Sequence, residues 1–261
     1  GFPTTQGCTL LKDHIAPQDS VVTARMKAAG CIVIGKTNMP ELGLGSHTFN
    51  NVFGATRNAW DGAVSAGGSS GGAAVALAQR LLPVADGSDF MGSLRNPAAW
   101  NHVFGLRPSQ GRVPLWPAPD TWVSQLATEG PMARNMRDLA RLLAIQAGRD
   151  PRVPLSIAQE PQDFLAGAGV QPGRSGRDLT GLRIAWCADL EGYLPIEDGL
   201  LPVCEQALRR FADAGASVEP ARLGFDTAAL WNAWLIWRRA LVAPRVAVLL
   251  KLPHARAQIK P

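Results

Sequence analysis

The 261-residue sequence has few lysines and lacks any long apolar run. Only five of its 26 basic residues are lysines, and its arginines are scattered along the chain. Nucleic-acid-binding surfaces usually carry a clustered basic patch, so the net charge of +5 does not indicate nucleic-acid binding. A membrane-spanning helix needs roughly 20 consecutive apolar residues. No stretch of the sequence approaches that length, so we expect no membrane association.

Cysteine is also scarce, and its spacing argues against a disulfide-rich protein and against a zinc-binding protein. The four cysteines lie far apart without a C-x-x-C pair, which favours reduced, buried thiols over a disulfide framework or a zinc site. A chain of this length with 46% hydrophobic residues can bury a sizeable core. We therefore expect a soluble, cytoplasmic, globular protein with no metal and no other cofactor.

Two glycine- and serine-rich stretches dominate the first half of the chain. The first is Ser65-Ala-Gly-Gly-Ser-Ser-Gly-Gly72, and an alanine-rich helical segment follows it directly. The second is Asp86-Gly-Ser-Asp-Phe-Met-Gly-Ser-Leu-Arg95, in which Ser93 follows a glycine. Four glycines around two adjacent hydroxyls suggest a tight backbone shape that presents Ser69 and Ser70.

These stretches resemble those of the amidase signature family, amide hydrolases with a Ser-cis-Ser-Lys catalytic arrangement. The resemblance implies that Ser93 is the nucleophile, that Ser69 bridges it to a lysine, and that the peptide bond before Ser69 is cis. The same resemblance puts that lysine a few residues before Gly1, outside this sequence. Lys12 lies on the wrong side of the Thr-Thr pair to be the family lysine. We therefore predict an amidase that forms an acyl-serine intermediate, and we expect the 261 residues on their own to be inactive.

The loop before the nucleophile supplies the remaining predicted site residues. Backbone N–H groups stabilise the oxyanion of an amide-hydrolysis intermediate, and the resemblance assigns this role to Phe90, Met91, Gly92 and Ser93. The supporting side chains are those of Ser70, Asp89 and Arg95. The family has glycine where this chain has Met91. A side chain there would be strained only at positive φ; otherwise it narrows the acyl pocket, which is the interpretation we favour.

The resemblance extends over nearly the whole chain, with its sharpest motifs in 1–138 and a less typical region in 150–261. It implies one partial amidase signature domain over 1–261, of the α/β class, with a mixed β-sheet covered by helices on both faces. Strand and helix patterns that alternate after Leu182 agree with this class. The short apolar run Cys31-Ile-Val-Ile34 predicts a buried strand.

Other functions fit parts of the sequence. The stretch 30–37 matches the phosphate-loop pattern, but strand-forming residues fill its middle and Pro40 follows where a helix should begin, so we reject nucleotide binding. The stretch 67–71 also fits a nucleophile elbow, which would make Ser69 the nucleophile of an α/β-hydrolase-like esterase, with His102 or His254 as the base.

Two further alternatives share the amidase motifs. One is the A-type glutaminase subunit of a tRNA-dependent amidotransferase, and the other is a non-catalytic binding protein on the same scaffold. For the main prediction we expect a small-molecule amide as the substrate. A homodimer is compatible with the sequence.

Overall fold

The computed structural model describes residues 1–158, 161–167 and 178–259. The chain divides into two compact units, residues 1–170 with 243–261 and residues 171–242. Both contain helices and strands, so the α/β class predicted from the sequence is confirmed. The helices are α1 (Val21–Ala28), α2 (Gly71–Ala78), α3 (Arg95–Trp100), α4 (Met136–Gln146), α5 (Pro161–Gly167), α6 (Leu200–Asp213), α7 (Thr227–Leu249) and α8 (Ala255–Gln258). The strands are β1 (Phe49–Asn50), β2 (Gly54–Ala55), β3 (Val84–Asp89), β4 (Phe104–Gly105), β5 (Thr128–Ala133), β6 (Arg183–Trp186) and β7 (Ser217–Pro220).

Side-chain caps begin two of the helices in the first unit. The Ser20 hydroxyl accepts a hydrogen bond from the N–H of Thr23 at 3.1 Å, and α1 starts directly after Ser20. Asn135 caps α4 in the same way through the N–H of Asp138, at 2.9 Å. Each cap satisfies one of the backbone N–H groups that the first turn of a helix leaves without a partner.

The sheet that carries the candidate site is antiparallel, with the strand order β3-β5-β4. Its core is built from the fully buried side chains of Leu77, Leu94 and Met132, with small alanines from α2 and α3 between them. Small residues let these helices approach the sheet closely. The strand β3, which is packed in this core, therefore leads directly into the 90–93 loop. In the other unit, β6 and β7 form a parallel pair.

The prediction of a buried strand at Cys31–Ile34 is wrong for this structure. Residues 31–39 form no strand, and the side chains of Ile32 and Ile34 are 86% and 69% exposed. A strand needs a neighbour to pair with its N–H and C=O groups. Within the described residues no strand lies alongside this run, so an apolar sequence alone does not bury it. Residues 36–39 form no helix either, in agreement with the rejection of a phosphate loop.

Candidate active site

The peptide bond between Gly68 and Ser69 is cis, as the resemblance implied. The preceding Gly67 has a φ of +72°, and a Cβ atom there would lie 3.0 Å from the Cα atom of Pro97. Only glycine meets both requirements without strain. The helix α2 begins two residues after Ser69, whose side chain is buried with 3% exposure. This sequence of glycines thus brings a buried hydroxyl to the start of a helix.

Hydrogen bonds from Ser70 join the two glycine- and serine-rich stretches. The N–H of Ser70 donates to the carbonyl oxygen of Ser93 at 3.2 Å. The Ser70 hydroxyl donates to the carbonyl oxygen of Ser88 and accepts from the N–H of the same residue, both at 3.3 Å. Like Ser69, Ser93 is buried, with 6% exposure. The structure therefore brings the two predicted catalytic stretches together, with Ser70 between them.

The carboxylate of Asp89 organises the 90–95 loop. It is fully buried, and its oxygens accept hydrogen bonds from the N–H of Gly92 at 2.7 Å and of Leu94 at 3.2 Å. Arg95 donates to it through Nε at 3.0 Å, and Arg107 through Nη1 at 2.9 Å. Burial alone would raise the pKa of Asp89, but the hydrogen bonds from Arg95, Gly92 and Leu94 outweigh it and lower the pKa to about 2. This carboxylate stays ionised and ties the loop to β3.

Sequence reasoning did not identify Arg107 as a site residue. Its Nη1 atom donates to both the backbone and the side chain of Asp89, and its Nη2 atom donates to the carbonyl oxygen of Leu126 at 2.8 Å. Arg107 lies in the Gly-Leu-Arg-Pro stretch just after β4, where only the folded sheet brings it next to β3. The Gly-Leu-Arg-Pro stretch resembles a motif of the amidase signature family, and this resemblance is the one signal in the sequence that points to Arg107.

The predicted oxyanion donors differ in what they contact. The N–H of Gly92 is already bonded to Asp89, whereas those of Phe90, Met91 and Ser93 have no hydrogen-bond acceptor within the described chain. Gly92 holds the positive φ of this loop, at +117°, and Met91 is not among the positive-φ residues. The strain considered for Met91 therefore does not arise, and its side chain is 42% exposed.

No lysine of the described residues donates a hydrogen bond to Ser69 or Ser93. Lys27 forms a surface ion pair with Asp19 at 2.8 Å, and Lys36 donates to the hydroxyl of Thr4. Burial lowers the pKa of Lys36, an effect that the negative charge of Asp86 opposes. The site as described thus holds its two serines without a base bonded to them.

Two carboxyl groups lie on neighbouring strands beside this site. Asp86 is on β3 and Glu129 on β5, where Glu129 pairs with Ser88. Burial, and then the charge of Asp86, raise the pKa of Glu129 to about 7. Burial also raises the pKa of Asp86. The Oε2 atom of Glu129 is buried without a hydrogen-bond partner in the described part of the chain, which fits a carboxyl group that is often protonated near neutral pH.

The nucleophile-elbow alternative finds little support in the geometry. An elbow needs a strand leading into the serine, and residues 61–68 contain only an isolated bridge at Ser65. The ring of His102 lies edge-on to the ring of Trp60, with centroids 6.3 Å apart, and His254 precedes α8. Neither histidine bonds to Ser69.

In the described part of the chain, metal clusters, membrane-spanning helices, thiols and cavities add no further residue to the predicted site. Among the described residues no group of three or more His, Cys, Asp or Glu side chains could hold a metal ion. No described helix has the length and apolar character to span a membrane. All four thiols are free, with only that of Cys8 buried. A cavity of about 330 Å³ in the second unit is lined by residues between 187 and 227, none of which is a predicted site residue.

Two buried serines on joined loops, backbone N–H groups without an acceptor in the described chain beside one of them, and a loop held by an ionised carboxylate are some of the parts that acyl transfer through a serine requires. A model of the amidase family matches residues 1–245. The chain therefore belongs to the amidase family, as its motifs indicated.

Several known proteins are similar to this chain. The A-type subunit of the glutamyl-tRNA(Gln) amidotransferase from Burkholderia mallei (strain SAVP1) is 38% identical over 226 residues, which cover 85% of this chain and 45% of that protein. A bacterial aryl acylamidase of the amidase signature family superposes with a TM-score of 0.87 at 32% identity, covering 100% of this chain and 54% of that one. The peptide amidase of Stenotrophomonas maltophilia gives a TM-score of 0.65 at 34% identity, covering 85% and 45%. The chain thus spans about half the length of these relatives.

Proposed function

We propose that this chain carries the serine part of an amidase site, which hydrolyses a small carboxylic amide through an acyl-Ser93 intermediate. The observation that carries the proposal is the join between the two stretches. The Ser70 N–H reaches the carbonyl oxygen of Ser93, and Ser69 and Ser93 are both buried beside it. Two of the similar structures are named as an aryl acylamidase and a peptide amidase, and hydrolysis of an amide bond by this chain would agree with those names.

In the proposed reaction the Ser93 hydroxyl attacks the amide carbonyl. Its proton passes to the Ser69 hydroxyl, and the proton of Ser69 passes to a neutral lysine. The N–H groups of Phe90, Met91 and Ser93 support the proposed oxyanion, since they have no other acceptor in the described chain. The C–N bond then breaks as the leaving amine takes a proton from the lysine. Water hydrolyses the acyl ester by the same relay in reverse.

The general base is the part of this reaction that the described residues do not supply. Lys36, a candidate for a base within the chain, is bonded to Thr4 rather than to Ser69. A missing general base costs roughly 10²–10⁴-fold in rate. We therefore expect the 261 residues alone to turn over amides very slowly, and we propose that a lysine outside them completes the site.

The proposed function is tested through the chemical reactivity of Ser93. A longer form of the protein that turns over 4-nitroacetanilide should react with a fluorophosphonate probe at Ser93, and Ser93→Ala should abolish both labelling and turnover. Ser69→Ala should lower turnover by roughly 10²-fold or more. The surface variant Ser109→Ala is the matched control and should leave both unchanged. Labelling at Ser69 instead would favour the elbow mechanism. Ser93-dependent turnover by the 261 residues alone, lost in Lys36→Met, would make Lys36 the base.

A second candidate is the glutaminase component of an amidotransferase, and the 38% identity to such a protein favours keeping it. In that case glutamine would be the amide, and a partner protein would receive the released ammonia. Glutamine hydrolysis that appears only when the partner is added would support this candidate over a stand-alone amidase. For either candidate we propose a cytoplasmic location, because free thiols suit a reducing compartment.

A further inference from the structure

A hydrogen-bonded chain of side chains outside the predicted site holds the backbone that leads to Ser69. The N–H of Gly67 donates to the hydroxyl oxygen of Ser65 at 3.0 Å. That same hydroxyl lies 2.8 Å from Nδ1 of His47. On the other side of the peptide, the carbonyl oxygen of Gly67 accepts from the hydroxyl of Thr48 at 2.8 Å. Gly67 is thus clamped through both of its polar backbone groups.

The segment that supplies this clamp packs directly on the backbone before Ser69. A Cβ atom placed on Gly68 would lie 3.1 Å from the N atom of His47. The residues before Gly67 are held as well: Asn58 donates to the carbonyl oxygen of Ser65 at 3.2 Å, and Asn101 to that of Ala66 at 2.8 Å. The carbonyl groups of residues 65, 66 and 67 therefore each accept a hydrogen bond from a side chain. The N–H of Gly67 donates to the Ser65 hydroxyl, which can rotate unless a further partner fixes it.

The direction of the bond between Ser65 and His47 depends on which nitrogen of the imidazole carries the proton. A serine hydroxyl has one proton to donate, and its oxygen can accept. The oxygen of Ser65 already accepts from Gly67, and Nδ1 of His47 is the acceptor within reach of its proton in the described chain. The arrangement that gives the Ser65 proton an acceptor within the described chain has Gly67 donating to Ser65 and Ser65 donating to His47. The imidazole thereby stops the hydroxyl from rotating, so that a lone pair stays directed at Gly67.

We propose that His47 and Ser65 are positioning residues for the amide hydrolysis proposed above: through Ser65, His47 fixes the N–H of Gly67 and so the path of the backbone to the Ser69 hydroxyl. The proposal rests on the proposed function. It gives a role to a Ser–His pair that the mechanism does not otherwise use. The pair is not a second nucleophile and base in this arrangement, because Nε2 of His47 has no orienting partner within the described residues.

The hydrogen bonds from Gly67 through Ser65 to His47 are tested by NMR, which does not depend on enzymatic activity. In wild type, the nitrogen shifts of His47 should show an unprotonated Nδ1 and a protonated Nε2 in the neutral ring. The Gly67 amide should exchange roughly tenfold faster in Ser65→Ala and in His47→Phe, because each removes a hydrogen bond or its orienting partner. His47→Asn should restore slow exchange, since the Asn carbonyl oxygen can replace Nδ1 as the acceptor. A protonated Nδ1, or equal exchange in His47→Phe and wild type, overturns the proposal.

The positioning role is tested by kinetics in the form of the protein that shows Ser93-dependent turnover. Ser65→Ala and His47→Phe should lower kcat by roughly tenfold with KM within about twofold, because a misplaced Ser69 harms the transition state more than ground-state binding. His47→Asn should recover most of kcat, and the exposed His14→Asn should match wild type. Unchanged kcat in His47→Phe, or fluorophosphonate labelling at Ser65, overturns the role of the pair. Absence of any Ser93-dependent turnover would instead remove the proposed function, and the exchange measurements would still judge the hydrogen-bond chain.

Discussion

The carboxylate of Asp89 gives the most quantitative prediction, because its partners are known atom by atom. It accepts hydrogen bonds from the N–H groups of Gly92 and Leu94 and from the guanidinium groups of Arg95 and Arg107. The change is Asp89→Asn, which keeps the shape but removes the charge and replaces one acceptor by a donor. Gly92 or Leu94 then faces an NH₂ group, and the arginines lose their counter-charge.

The expected loss in the free energy of unfolding can be worked out from the pKa. The pKa of Asp89 falls from 3.8 to about 2, and each unit corresponds to about 1.4 kcal/mol. Since the Arg95 side chain is 55% exposed, solvent screening reduces this contribution, which we put at about 2 kcal/mol. The mispaired amide adds the cost of an unsatisfied buried donor, which brings the expected loss for Asp89→Asn to about 3 kcal/mol.

Urea unfolding followed by tryptophan fluorescence measures this loss at pH 7. Asp19→Asn is the matched control, because Asp19 pairs with Lys27 on the surface and should cost at most about 1 kcal/mol. The pH dependence provides a second check. A carboxylate with a lowered folded-state pKa stabilises the protein above its unfolded pKa, and this contribution is lost as the pH falls from about 4 through about 2. A loss no larger than that of Asp19→Asn, or one that does not shrink in acid, would refute the reasoning.

Two other residues give predictions of a different kind. Glu129 has its pKa raised to about 7, so its contribution is complete below its unfolded pKa of 4.5 and is lost as the pH rises through 7. Glu129→Gln should therefore be the more stable protein at pH 8 by roughly 3 kcal/mol, with little difference at pH 4.5, and equal pH profiles in urea unfolding would contradict this. Gly72→Ala should cost about 2 kcal/mol or more in thermal unfolding, because its Cβ would lie 2.5 Å from the N atom of Asn38. Gly62→Ala, which meets nothing within 4 Å, is its control and should stay within about 0.5 kcal/mol.

Local chemistry explains which parts of the fold were predictable. The cap at Asn135 and the helix α4 that follows it depend on local chemistry, since a cap and a helical pattern need only neighbours in sequence. The cis bond before Ser69 was implied by the family resemblance, and the glycines that flank Ser69 and Ser70 make it sterically possible. The run Cys31–Ile34 was mispredicted because apolar residues predict burial only when another element lies against them.

The sequence by itself identified the family, because the glycine- and serine-rich motifs that carry the resemblance each span only a few neighbouring positions. The assignment of Ser69 and Ser93 as the catalytic serines is a prediction from the same motifs. The tertiary structure alone decided what those loops contact. Arg107 reaches Asp89 only because β5 lies between β3 and β4, and the N–H of Gly92 is taken by the same carboxylate. His47 meets Ser65 because the segment 45–47 packs against the backbone before Ser69. Hydrogen bonds between residues distant in sequence depend on where the packed sheet and helices place them, and no local pattern encodes that placement.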